Sequence, residues 1–202
     1  MRELERDTEG MIEGRNAVTE ALRAGRAVDK LYIAKGETDR TLARIASKAR
    51  EAGVVVVCDE LSDPHNLGAV IRTAECAGAH GVIIPKRRSA GLTAVVAKTS
   101  AGAVSHVPVA RVPNLTACLK DLKKEGLWVY GATAAGDTQL YDTDLKGPAA
   151  IVIGSEGNGM SRLVEETCDV RVSIPMRGKL NSLNASAAAA ILLYEAVRQR
   201  LD

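Results

Sequence analysis

The chain has 202 residues and a formal net charge of +2, with 46% hydrophobic residues but no Phe, one Trp and four Tyr. A normal core is possible, built from Val, Ile, Leu and Ala, and the scarcity of aromatics argues against a single-strand binder that stacks bases on exposed rings. No apolar run approaches the ~18 residues of a membrane span, the N-terminal MRELERDTEG lacks the apolar stretch of a secretory signal, and Cys58, Cys76, Cys118 and Cys168 have neither disulfide nor metal spacing. A cytoplasmic protein with reduced thiols, no membrane segment and no metal is expected.

The pattern alternates between strand and helix along the chain. DKLYIA (29–34) and VVVVC (54–58) read as strands, with TLARIASKAREAG (41–53) as a helix between them that Gly53 ends. A helical pattern follows at 66–77, a strand at HGVIIP (80–85), a helical stretch near 91–99 and a strand at HVPVARV (106–112). NLTACLKDLKKEG (114–126) reads as a helix, LWVYGA (127–132) and AAIVIG (149–154) as strands, and SRLVEET (161–167) as a short helix. VRVSIP (170–175) is the last strand, ahead of a long helix over about 184–200. Strands apolar on both faces, alternating with helices, predict an α/β fold: a parallel sheet covered by helices on both sides.

Ligands of such sheets bind beyond the carboxyl ends of the strands. That rule selects GATAAGDTQ (131–139), GSEGNGMS (154–161) and PMRGKLNSLN (175–184), with DPHNLGAVIRTAE (63–75) after VVVVC. Any one of these could be a plain turn; four together point to a site. Glu156 stands between glycines, Asn66 begins a helical face, and Arg72 sits in an otherwise uncharged stretch. Asn181, Ser182, Asn184 and Ser186 crowd the start of the last helix, more polar groups than one cap requires. Neither nucleotide fingerprint, GxGxxG or GxxxxGK[ST], is present. Three basic clusters stand out: Lys86-Arg87-Arg88, Lys120 with Lys123 and Lys124, and Arg171 with Arg177 and Lys179.

DPHNLGAVIRTAECAG, IVIGSEGNGMS with VRVSIPM, and LNSLNASAAAAILLYEAVRQR resemble, in order and spacing, the three motifs of the SpoU/TrmH branch of the SPOUT RNA methyltransferases. The similarity covers about residues 58–202, and IEGRNAVTEALRAG further resembles the start of the bacterial 23S ribosomal-RNA guanosine 2′-O-methyltransferases. The resemblance implies S-adenosyl-L-methionine as donor, a ribose 2′-hydroxyl of RNA as acceptor, a homodimer, and a C-terminal trefoil knot, which general folding rules would have disfavoured. By similarity Gly154, Ile174, Met176 and Leu183 hold the donor's adenosine, and Thr133, Ala134 and Ala135 close its pocket. Asn66, Glu156, Ser182 and Asn184 would face the acceptor ribose and the methionine end. Arg72 matches the residue assigned to activating the hydroxyl; a guanidinium holds its proton firmly, which favours orienting a phosphate and stabilising the alkoxide instead.

One departure concerns the N-terminal side. Relatives place a linker between an RNA-binding domain and the first motif strand, whereas VVVVCDELSDPHNLGA must serve both. Several tens of residues of the usual pattern are absent, so either that domain, expected over residues 1–57, is shortened or a stretch between Gly53 and Asp63 is missing. The methyltransferase domain is expected over 58–202. Ribosomal RNA is the expected partner, with tRNA as the alternative. A catalytically weak RNA-binding assembly factor and an α/β enzyme on a small nucleotide are the rival classes. The intact Asn66, Arg72, Glu156, Ser182 and Asn184 oppose the first, and the missing dinucleotide fingerprint opposes the second.

Overall fold

The computed structural model describes residues 37–49 and 53–201; the strand expected at 29–34 and the larger part of the N-terminal segment lie outside the described residues. Helix α1 spans Glu37–Ala49 and buries Ile45, Ala46 and Ala49. It begins four residues earlier than the sequence pattern suggests. Gly53 donates its N–H to the Ala49 carbonyl (3.0 Å), and a Cβ there would meet Ala49 Cα at 2.4 Å. Glycine is needed at 53 for that close approach.

Seven parallel strands follow: β1 Val54–Cys58, β2 Gly81–Pro85, β3 Val109–Val112, β4 Trp128–Ala132, β5 Thr138–Gln139, β6 Ala149–Ile153 and β7 Val170–Ser173. The helices between and after them are α2 Pro64–Cys76, α3 Ala94–Thr99, α4 Leu115–Lys124, α5 Arg162–Glu165 and α6 Ala185–Gln199. The sheet order is β3-β2-β1-β6-β4-β7-β5. In β1, Val54, Val56 and Cys58 face a core that includes Leu67, Ile71, Ala189 and Leu192, from α2 and α6. Val55 and Val57 face another, with Ile45, Leu119 and Leu122 from α1 and α4. Both faces of the strand are therefore dry, which is why the run has no polar alternation. The domain boundary expected between residues 57 and 58 falls inside β1, and the compact unit begins at Lys35.

Several elements differ from the sequence pattern. The expected strand at 106–112 is only Val109–Val112, because a 3₁₀ turn at Ala103–Ser105 precedes it. The last strand stops at Ser173, before Ile174 and a proline that cannot donate to a ladder. Strand β5 lies in a segment expected to be loop; it is two polar residues paired with Val172 and Ser173, and carries no apolar signal. Asn114 and Thr93 stand just outside α4 and α3 as their N-caps.

Strands β6 and β7 come late in the chain but sit inside the sheet, β6 between β1 and β4 and β7 between β4 and β5. Their carboxyl ends deliver 154–161 and 174–184 beside the end of β1. Helix α6 then returns to pack on α2, which in turn crosses α3. That second crossing is very close: a Cβ at Gly68 would meet Thr99 Oγ1 at 1.8 Å and Thr99 Cβ at 2.8 Å. Gly68→Ala is expected to lower stability by about 1–3 kcal/mol, the usual cost of overpacking, despite alanine's better helix propensity. Urea denaturation checks this, and an unchanged midpoint would rule out so tight a crossing.

Candidate active site

Three segments distant in sequence meet through three side chains. Helix α2 starts at an Asp63 cap, whose carboxylate accepts the His65 N–H at 2.9 Å, with Pro64 in its first turn. This puts Asn66 at the helix start, where it is 8% exposed. After β6, Ser155 and Gly159 exchange two backbone hydrogen bonds of 2.9 Å, which lifts Glu156, Gly157 and Asn158 into a tight tip. Gly159 turns the chain at φ 66°. The third segment is the start of α6, capped by Asn184.

Asn184 Oδ1 accepts from Ser186 N–H (3.0 Å), the Ser186 hydroxyl (2.6 Å) and Ala187 N–H (3.3 Å). Because backbone donors claim the oxygen, the Asn184 amide nitrogen must face away from α6. It donates to Asn66 Oδ1 at 3.0 Å and to Glu156 Oε1. Asn66 Nδ2 also donates to Glu156 Oε1, at 2.7 Å. The chain of donors therefore runs from the α6 N-terminus to the carboxylate, and both amides converge on one oxygen of Glu156. Its other oxygen has no hydrogen bond to any described residue and can accept from a hydroxyl.

A fourth group, not singled out in the sequence, holds the loop in place. Asp59, 3% exposed, accepts the Ser161 N–H at 2.7 Å, while its own N–H donates to Ile153 O at 2.8 Å. It ties the end of β1 to both ends of the 154–161 loop. The only signal for it in the sequence is an acid directly after a wholly apolar strand.

The remaining expected site residues are placed differently. Gly154 is buried, and a Cβ on it would meet Gly159 C at 2.2 Å and Met160 N at 2.3 Å. It abuts its own loop's backbone, so a larger residue there would distort the loop before filling any pocket. The loop bearing Thr133, Ala134 and Ala135 is drawn to β7, with Thr133 N–H donating to Val172 O at 3.0 Å. Gly136 lies so close to β7 that a Cβ would meet Ser173 N at 2.6 Å. Ile174 stands at the end of β7, half-buried. Residues 175–183, including Met176, Ser182 and Leu183, make no hydrogen bond or ion pair to any described residue. Ser182 is thus outside the Asn66–Glu156–Asn184 network. So is Arg72: six residues on from Asn66 it points to another side of α2, exposed and without a side-chain partner among the described residues.

Three of the four thiols are poor nucleophiles; Cys76 is exposed. Burial, reinforced by the charge of Asp59, pushes the Cys58 thiol up to about 12. Burial likewise raises Cys118 and Cys168 to about 12, with nearby carboxylates adding to it. A cavity of about 400 Å³ lies away from the network, walled by Asp137, Arg162, Glu165, Glu166, Cys168, Asp169 and Arg171. Its arginines are already answered, Arg171 by Asp137 and Arg162 by Glu166. The polar side chains that meet across distant segments do so at the amide–carboxylate junction.

Comparison with known proteins identifies the family. Residues 53–194 match the SpoU rRNA Methylase family, and residues 11–60 match a family described as RNA 2′-O ribose methyltransferase substrate binding. The matches overlap on β1, so both patterns claim that one strand. A Bacillus subtilis protein assigned to the TrmH family of tRNA/rRNA methyltransferases is 51% identical over 159 residues, which are 79% of this chain and 64% of that protein. A TrmH-family relative from Staphylococcus haemolyticus is 40% identical over 238 residues, covering 94% of this chain and 96% of the relative. That alignment is longer than this 202-residue chain, so several tens of the relative's residues have no counterpart here. The crystal structure of the SpoU methyltransferase AviRb from Streptomyces viridochromogenes with AdoMet is similar at a TM-score of 0.72 and 33% identity. The match covers 87% of this chain and 63% of AviRb. The chain spans less than two thirds of AviRb and of the Bacillus relative. It belongs to the SpoU rRNA Methylase family.

Two substitutions separate the capping and bridging roles of Asn184. Asn184→Ala removes both and is expected to cost about 1 kcal/mol or more. Asn184→Asp keeps an acceptor for the α6 N–H groups but sets a second carboxylate against Glu156. Like charges raise the folded-state pKa of such a pair, so folding takes up a proton and stability rises as pH falls. Relative to the parent protein, Asn184→Asp should therefore gain stability between pH 7 and pH 5 in thermal melts. A pH-independent difference would mean that the two side chains do not meet.

Proposed function

We propose that this protein transfers a methyl group from S-adenosyl-L-methionine to a ribose 2′-hydroxyl of RNA, with a guanosine of large-subunit ribosomal RNA as the first target to test. The observation that carries the reading is the convergence of Asn66, Glu156 and Asn184, one from each of three family motifs, on a single carboxylate oxygen. The names of the relatives speak of both tRNA and rRNA, so a tRNA ribose is the second target. A catalytically weak assembly factor on the same fold is the reading against which transfer is measured. The buried thiols suit the reducing cytoplasm.

Segment 174–183 fits the donor. Backbone groups of residues 175–183 are uncommitted, and Met176 and Leu183 are more than a third exposed beside them. Such a segment can pair with the edge of a purine through its main chain and cover the ring with apolar side chains. The donor supplies the methyl group, on a sulfonium, to an in-line displacement. Ile174 and Leu183 would lie against the adenosine, 133–135 would close the pocket from the β4 side, and Gly154 would set the height of its floor. The fold that brings these loops together is, in this reading, the family's trefoil knot.

At the acceptor, the free oxygen of Glu156 receives a hydrogen bond from the ribose hydroxyl, and the two amides keep that carboxylate from swinging away. Arg72, exposed and without a partner among the described residues, is available to a phosphate next to the methylated ribose. There its planar fork fixes the nucleotide and offsets charge developing on the oxygen. Transfer by this route needs alignment and a dry pocket, and no metal. Among the described residues no group of His, Cys, Asp or Glu could hold one, and no helix is long and apolar enough to cross a membrane.

A second copy of the chain is the proposed partner along α6, where Ala187 and Tyr194 are exposed, Tyr194 to 51%, with the half-buried Ile191 between them. Sedimentation should give twice the chain mass of 21.3 kDa at micromolar concentration, and a monomer alone would refute the pairing.

Label from S-adenosyl-L-methionine should enter ribosomal RNA as a 2′-O-methyl nucleoside in nuclease digests. Arg72→Ala should bind S-adenosylhomocysteine normally while transfer falls by about two orders of magnitude, with little rescue in Arg72→Lys if the contact is bidentate. Leu183→Arg should lose S-adenosylhomocysteine binding while staying folded, since Leu183 is exposed. Transfer to a base, or full activity in Arg72→Ala, would overturn these assignments.

A further inference from the structure

The three basic clusters of the sequence have different fates in the fold. Lys123 pairs with Asp169 at 2.6 Å and donates to Thr167 O at 3.2 Å, and Lys124 pairs with Asp121 at 2.8 Å. Arg171 grips Asp137 through two bonds of 2.8 and 2.7 Å. These charges are spent within the protein, which leaves Lys120 on α4 as a lone exposed cation, unpaired among the described residues, and Arg177 and Lys179 belong to the segment already assigned to the donor. Lys86 and Arg87 are different. Both are exposed, and neither side chain has a hydrogen bond or ion pair to any described residue.

The turn that carries them is held firmly. Lys86 N–H donates to Val112 O at 2.8 Å, and Arg111 Nη2 donates to Lys86 O at 3.3 Å, which adds a third cation behind the pair. Ala90 N–H and the Ser89 hydroxyl both donate to Leu61 O, at 2.8 and 3.1 Å. Arg88 pairs with Glu60 at 3.0 Å, and both residues hold left-handed backbone, at φ 57° and 54°. Side chains adopt that conformation at a cost, so it persists where surrounding contacts dictate it. The turn is thus bolted to segment 59–63, which leads directly into Asn66.

Its position follows from the sheet. Strand β2 lies beside β1, and β1 beside β6, so two strand spacings, about 10 Å, separate the end of β2 from the Glu156 loop. Two unpaired cations on a rigid turn, on the same sheet edge as the site, suit the backbone of a strand entering it. We infer that Lys86 and Arg87, backed by Arg111, bind phosphates of the RNA strand that flanks the methylated nucleotide. This rests on the RNA reading above and adds to it the path of the substrate. It also gives the sheet domain a phosphate grip of its own, where the matched substrate-binding region shares a strand with it.

The test is RNA binding without donor, measured against salt. The double variant Lys86→Gln/Arg87→Gln removes two charges that support no contact within the described protein, so it should fold normally. Its plot of log affinity against log salt should be shallower than the parent's by about two, one for each phosphate no longer neutralised. In transfer assays KM for RNA should rise with kcat at saturating RNA and S-adenosylhomocysteine affinity near parental values. Lys120→Gln/Lys124→Gln, on α4, should leave the slope unchanged. An unchanged slope in the first variant, or an equal loss in both, overturns the phosphate path even while methyl transfer proceeds. A loss confined to the first variant, in a protein that transfers no methyl group, sustains the path and sinks the proposed activity.

Discussion

The Asn184 side chain is the interaction on which the site depends. With one oxygen it caps α6, and with one nitrogen it reaches both Asn66 on α2 and Glu156 on the loop after β6. A cap alone would be satisfied by Ser or Asp; the amide accepts through its oxygen and still offers two N–H donors on the other side. Helix start, motif loop and carboxylate orientation are thereby fixed by a single group. The partners lie 118 and 28 residues away in sequence, so this geometry is absent until the sheet has assembled.

Strand order explains how those distances close. Strands β6 and β7 insert between neighbours that precede them in the chain, and each ends in one of the loops the site needs. Asp59 then joins the ends of β1 and β6 to Ser161, and Gly136 lets the 133–137 loop lie on β7. The close approaches at Gly154, Gly136 and Gly68 share one physical character: backbone or side chain occupies the space where a Cβ would be. They leave the site no slack, which suits a reaction that depends on alignment more than on strong acids or bases.

Much of this was legible in the residues. Runs such as VVVVC and AAIVI, apolar on both faces, correctly implied a covered parallel sheet; of the Asn and Ser before α6, Asn184 alone both caps the helix and reaches Asn66 and Glu156. Strand order was not legible, because periodicity reports which faces are buried and not which strands are neighbours. The Thr138–Gln139 strand was invisible for a related reason: its pairing comes from β7's exposed edge and not from its own side chains. Asp59 escaped because a buried acid is recognised only by what it bonds. Ser182 was read as part of one polar set with Asn66, Glu156 and Asn184, and Arg72 as a separate group for the acceptor; the fold joins Asn66, Glu156 and Asn184 and leaves Ser182 and Arg72 exposed and unpartnered within the described protein. The difference fits groups that wait for substrate, whereas the joined three are already positioned.

A mutant cycle on Asn66 and Asn184 tests this account most directly. Methyl-transfer rates would be compared for Asn66→Ala, Asn184→Ala and the double variant at saturating donor and RNA. If the two amides act as one unit holding Glu156, each single variant loses most of the rate and the double variant is hardly worse than either. Losses that multiply in the double variant would mean that the amides act independently, and that the junction of the three segments is not what organises the site.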